Sequence, residues 1–170
     1  SYRRSSVRRA KELAGTEPEE LFQIAIRKAW RDDFRDDIRD ELEGLYHGRC
    51  QMCGAEPFPR RSDGKPFFLA VNIVDRKQMP QLHASHLGNV LCLCPTCAAK
   101  WIFASRQPVD SAQDVLARQT PDSLDEDGNP IYSLRVRLAG REVAIRFKQR
   151  HWLELQALLS QDESDEILAD

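Results

Sequence analysis

Apolar residues at Leu21, Phe22, Ala25, Ala29, Trp30, Phe34, Ile38, Leu42 and Leu45 recur at steps of three and four, the period of a helix that buries one face. Thr16 with Glu19 fits a capping box, and Pro18 suits a first helical turn. No Gly or Pro follows until Gly44, so the pattern predicts a long amphipathic helix over 16–48, about 27 residues or roughly 40 Å, stopped by Gly44 or Gly48. Its repeated unit, Arg31-Asp-Asp-Phe34 and Arg35-Asp-Asp-Ile38, reads as a solvated face laced by i,i+3 ion pairs.

Beyond residue 48 the period shortens. Phe67 to Val74 is aromatic and β-branched and predicts a strand, Asn89 to Leu93 a second short strand, and Ala98 to Ala104 the start of a helix. Residues 105–130 are rich in Asp, Ser, Pro and Gln and read as an irregular connector, with one helical turn near Asp114 to Arg118. Leu134, Val136 and Leu138, then Val143, Ile145 and Phe147, alternate with polar residues around Ala139-Gly140, which predicts a β-hairpin. A short amphipathic helix from His151 to Leu159 follows, and the acidic tail, 161–170, is expected to fray.

Composition places the chain among globular proteins: 41% hydrophobic, 31% charged, with 8 Gly and 9 Pro in 170 residues. The longest apolar run, Phe67 to Val71, is far short of a membrane span, and no secretory core opens the chain, so a cytoplasmic protein is expected. Ser1 in first place fits a processed chain or a piece of a longer one.

The net charge of -2 conceals a basic arm over 1–15, with Arg3, Arg4, Arg8, Arg9 and Lys11, a basic hairpin and an acidic end. In the hairpin, alternation puts Arg135, Arg137, Arg146 and Lys148 on one surface, opposite the apolar face. Two readings follow. The four cations contact the phosphates of DNA or RNA, or they solubilise and protect an exposed sheet.

The five cysteines carry the clearest chemistry. Cys50-Gln-Met-Cys53 and Cys94-Pro-Thr-Cys97 are two C-x-x-C knuckles, and two such turns supply four thiolates to one tetrahedral ion. A single structural Zn²⁺ is the expected cofactor, although four thiolates also suit iron. Such a site leaves no coordination position open for substrate, and removing the metal should unfold residues 50–100 before the rest. Cys92 falls on the side of its strand opposite Leu91 and Leu93 and is expected to pack rather than to ligate.

The run Tyr46-His-Gly-Arg-Cys-Gln-Met-Cys-Gly54, a strand, and then Leu87-Gly-Asn-Val-Leu-Cys-Leu-Cys-Pro-Thr-Cys97 resembles the zinc-knuckle form of the HNH endonuclease family, as found in bacterial restriction and defence proteins. The resemblance covers roughly residues 42–104. It implies a ββα unit with a His-His or Asp-His pair ending the first strand, an Asn before the second, and a His opening the helix. Asn89 matches the family Asn. The strand-ending pair falls on Val71 and Asn72 and the helix-opening position on Ala98, none of which activates water or holds a cation.

The resemblance therefore implies an HNH-like zinc unit over 49–104 without its nuclease centre, and no catalytic residue is assigned. Two alternatives stay open. His83, His86 and Asp75 are the candidates for a rebuilt centre in an active endonuclease, and the long helix, with Trp30 and Phe34, is the candidate face for a protein partner. His47 and His151 read as packing or capping residues. The expected fold is α+β: a long N-terminal helix, a zinc-centred, treble-clef-like ββα unit, and over 131–160 a basic β-hairpin with a short helix packed on it.

Overall fold

The computed structural model describes residues 36–57, 62–74 and 86–167, and within 161–167 the backbone only. The predicted capping box, most of the long helix with Trp30 and Phe34, the basic arm, His83 and Asp75 lie outside the described residues. What is described is α+β with antiparallel sheets.

Helix α1 (Asp36–Tyr46) buries Ile38, Leu42 and Tyr46, spaced four apart and hence on one face. It runs through Gly44. His47 (φ 52°) and Gly48 (φ 78°) end it instead, both in the left-handed region. Of the two, Gly48 tolerates this without strain, and a side chain there would also run into Pro66 and Pro57.

Strand β1 (Leu69–Asn72) pairs antiparallel with β2 (Val90–Leu93), Leu69 opposite Leu93 and Asn72 opposite Val90. A single 3-10 turn, Leu87–Asn89, leads into β2. Helix α2 (Pro95–Phe103) then packs back on the pair, and the Trp101 indole N–H donates to the Asn72 carbonyl at 2.8 Å. The expected ββα order is thus present.

The helix starts earlier than Ala98 because Cys94 caps it, its sulfur accepting from the Cys97 N–H, and Pro95 occupies the first turn, where no N–H is required. Every residue of β2 is buried. Val90 and Cys92 meet α1, while Leu91 and Leu93 meet the second sheet and its helix, so an unalternating apolar run is what this position demands.

In the second sheet β5 (Pro130–Leu138) is central. On one edge β6 (Arg141–Lys148) forms the predicted hairpin, Leu134 opposite Ile145 and Val136 opposite Val143. Along the other edge lie β3 (Arg106–Pro108) and β4 (Ser123–Leu124). Helix α3 (Ala112–Ala117), capped by Ser111 and Asp114, sits between them.

The stretch 105–130 is therefore not irregular. Its strands are too short to show a period, and they form because β5 offers an open edge. The last helix, α4 (Gln149–Ile167), continues through the acidic tail to Ile167 rather than fraying, as no Gly or Pro interrupts it. Its Trp152 and Leu155 fill the inner face of the hairpin, with Trp152 stacked on Tyr132 at 5.4 Å.

Gly88 decides how closely the 3-10 turn meets α4. A Cβ there would lie 2.5 Å from the Glu154 carbonyl oxygen and 2.8 Å from the Leu155 nitrogen. Backbone touches backbone, which only glycine permits.

Candidate metal centre

The first knuckle turns directly after α1. The Cys50 N–H bonds to Ala55 and the Cys50 carbonyl accepts from Gly54, whose φ of 72° closes the turn. The second knuckle joins β2 to α2. The ligand atoms of Cys50, Cys53, Cys94 and Cys97 all lie within 4.8 Å of one another, and the Cys53 and Cys94 sulfurs are 3.8 Å apart. Four thiolates around one ion at about 2.3 Å require sulfurs roughly 3.8 Å apart, so this donor set fits a tetrahedral thiolate-bound cation.

Local N–H groups point at the sulfurs, Ala55 to Cys53 and Cys97 to Cys94, each at 3.4 Å. Burial and then the nearby Cys50 sulfur push the Cys97 thiol well up, and the same two causes raise Cys53. At Cys50 burial is outweighed by the N–H groups of Cys53, Cys94 and Met52, and its thiol is lowered. Four sulfurs so crowded repel as thiolates, and a bound dication is what lets them ionise together.

Cys92 packs as expected, among Leu42, Phe68 and Val90, with its thiol donating to the Arg49 carbonyl at 3.5 Å. It is no ligand.

Between Cys50 and Cys53 stands a residue the sequence reading passed over. Gln51 is 2% exposed. Its N–H donates to the Cys92 carbonyl (3.0 Å) and its Oε1 accepts from the Cys92 N–H (2.8 Å), which closes the free edge of β2. Its carbonyl accepts from the Arg146 N–H (3.0 Å) and its Nε2 donates to the Arg146 carbonyl (3.0 Å), which closes the edge of β6. One side chain thus joins both sheets to the knuckle.

Gln51 Nε2 also donates to Tyr46 Oη at 3.1 Å, and the Lys148 N–H does so at 3.2 Å. With both lone pairs used, the Tyr46 proton goes to His151 Nδ1, 2.7 Å away. The other ring nitrogen of His151 then carries its proton to the Leu87 carbonyl at 2.9 Å. Burial, first among the causes, holds His151 down near 4 and keeps it neutral, while burial raises the Tyr46 phenol. His151 is the packed residue expected, and His47 ends α1 with an exposed ring.

At the positions where the HNH resemblance calls for imidazoles, Val71 and Asn72 sit on β1 and Ala98 is completely buried in α2. Asn89 spends its side chain on the backbone of Val74, accepting its N–H at 2.9 Å and donating to its carbonyl at 3.2 Å. His86 caps the 3-10 turn by accepting from the Gly88 N–H and lies 3.5 Å from Glu154.

The four hairpin cations share an outer face, as the alternation predicts, but not one electrostatic role. Arg135 is bound at 2.7 Å to the buried carboxylate of Asp110, which Arg118 also holds and which together they keep below the usual carboxylate range against the cost of burial. Lys148 pairs with Asp125 at 3.4 Å, Arg146 rests its guanidinium against Gly54, and Arg137 stands opposite Glu142. Short Asp-containing segments of 105–130 supply the anions, a pairing that hairpin alternation alone does not reveal.

No helix among the described residues is long and apolar enough to cross a membrane. No protein-family model, curated protein or solved structure matches the chain.

Proposed function

We propose that this chain is a zinc-stabilised, HNH-like module that binds nucleic acid and does not cut it. The observation that carries the reading is the convergence of Cys50, Cys53, Cys94 and Cys97 beside a ββα unit whose expected catalytic positions hold Val71, Asn72 and Ala98. Zn²⁺ bound by four thiolates has no vacant position, so its contribution is to hold the two knuckles together, not to activate water. His86, the described member of the alternative centre, is already engaged by Gly88 and Glu154. The nucleic-acid part rests on the family resemblance and on the unpaired cations described below.

The test combines metal analysis of the purified chain, plasmid cleavage with Mg²⁺ or Mn²⁺, and oligonucleotide binding at two salt concentrations. One zinc per chain, intact plasmid and salt-sensitive binding are expected. Nicking abolished by His86→Ala would establish an active endonuclease instead. Absence of binding at low salt would remove the nucleic-acid assignment.

A further inference from the structure

We infer that the end of the molecule formed by the C-terminus of α2, strand β3 and the β5–β6 turn is a platform for single-stranded nucleic acid, with Phe103 as the stacking face and Lys100, Arg106 and Arg141 as phosphate contacts. The inference rests on the nucleic-acid reading above and gives it a surface and a substrate form.

The backbone brings these residues together. The Ala139 N–H at the hairpin turn donates to the Ser105 carbonyl at 3.0 Å, which seats the turn against the end of α2. Arg106 lies opposite Leu138, itself opposite Arg141, so these two share one face of the sheet, and Arg137, opposite Gln107 and Glu142, belongs to the other. Neighbouring strands are about 4.8 Å apart, so Arg106 and Arg141 start roughly 10 Å from each other across β5.

The charges here are of a different kind from those elsewhere. Among the described residues, Lys100, Arg106, Arg137 and Arg141 have no carboxylate within ion-pair distance, whereas the other lysines and arginines except Arg146 hold a carboxylate or carbonyl oxygen. The acid contributed by these elements is Glu142, opposite Arg137. Arg106 is ordered over the Trp101 ring, 4.9 Å from its centroid, which limits the entropy a further contact removes.

Phe103 is 84% exposed and Ile102 54%. A large aromatic left in water beside three unpaired cations is what a strand of unpaired bases requires, since every base offers a face to stack and every nucleotide a phosphate. In a duplex those faces are already stacked on one another. An acidic peptide would satisfy the cations, but it does not offer Phe103 a planar face at every residue, as a run of unpaired bases does.

The experiment uses the full chain and fluorescence anisotropy with a short labelled oligothymidylate, the same sequence as a duplex, and an acidic peptide. Single-strand binding is expected, with log K falling against log salt at a slope near -2 for about three phosphates. Phe103→Ala should weaken it about tenfold. Lys100→Gln with Arg141→Gln should flatten the slope by roughly 1.4, while Arg150→Gln, whose partner is Glu41, leaves it unchanged. Thermal melts establish that the variants are folded.

Single-strand binding indifferent to the Phe103, Lys100 and Arg141 changes overturns this surface and leaves the nucleic-acid reading standing. Equal affinity for duplex, or binding of the acidic peptide alone, also overturns it. No oligonucleotide binding by the unaltered chain at low salt removes both.

Discussion

The neutrality of His151 makes stability depend on pH in a defined window. In the folded chain the ring is completely buried, accepts the Tyr46 proton at Nδ1 and donates from Nε2 to Leu87. A second proton would have to sit on Nδ1, facing a hydroxyl whose lone pairs are taken by Gln51 and Lys148. Burial therefore lowers the folded pKa from an ordinary 6.5 to about 4.

Between those values the unfolded chain binds a proton that the folded chain refuses. The stabilisation is complete above about 6.5 and is lost as pH falls toward about 4, at up to 1.36 kcal/mol per pH unit, or roughly 3 kcal/mol in all. That is a large part of the 5 to 15 kcal/mol that usually separates folded from unfolded domains. Urea unfolding from pH 7.5 to 5 measures it, with His151→Gln as the reference, because other groups, the cysteine site included, titrate in both proteins and cancel in the difference. The wild-type advantage should shrink by about 1 kcal/mol or more between pH 6.5 and 5.5. Parallel pH profiles for the two proteins would refute the tautomer assignment and the burial argument together.

Gly88→Ala should cost about 2 kcal/mol or more in the same assay, since the new methyl meets the Glu154 backbone; an unchanged midpoint would mean that the turn and α4 are not in contact. Asp110→Ala removes the buried anion that Arg118 and Arg135 share and should cost on the order of 3 kcal/mol, and retention of full stability would count against a buried pair. Chelation of the metal should expose the amides of Cys92 and Arg146 to hydrogen exchange together, because Gln51 holds both; protection persisting at Arg146 would separate β6 from the metal site.

Legibility in the sequence followed the range of the interactions. The knuckles, the hairpin with its two faces and the packed Cys92 were readable because each depends on spacing within a few residues. Strands β3 and β4 were not readable, since two or three residues carry no period and owe their conformation to the edge of β5. Gln51 was missed because a polar residue inside C-x-x-C looks like turn filler. Its partners, Cys92 and Arg146, are 41 and 95 residues away. The pairing of Arg135 with Asp110 has the same origin, a separation of 25 residues that alternation along one strand does not register.

Two-stranded sheets are marginal in water, and β1–β2 is one. Its outer edge at Cys92 is completed by Gln51, as is the edge of β6 at Arg146. A glutamine can do this only while its backbone is held in the correct turn, and that turn is fixed by the two cysteines flanking it. An ion gripping Cys50 and Cys53 would therefore do more than tie one knuckle to the other. It would order the residue through which the ββα unit, the Tyr46–His151 pair and the hairpin share hydrogen bonds, which would make metal affinity and the stability of both sheets one linked quantity.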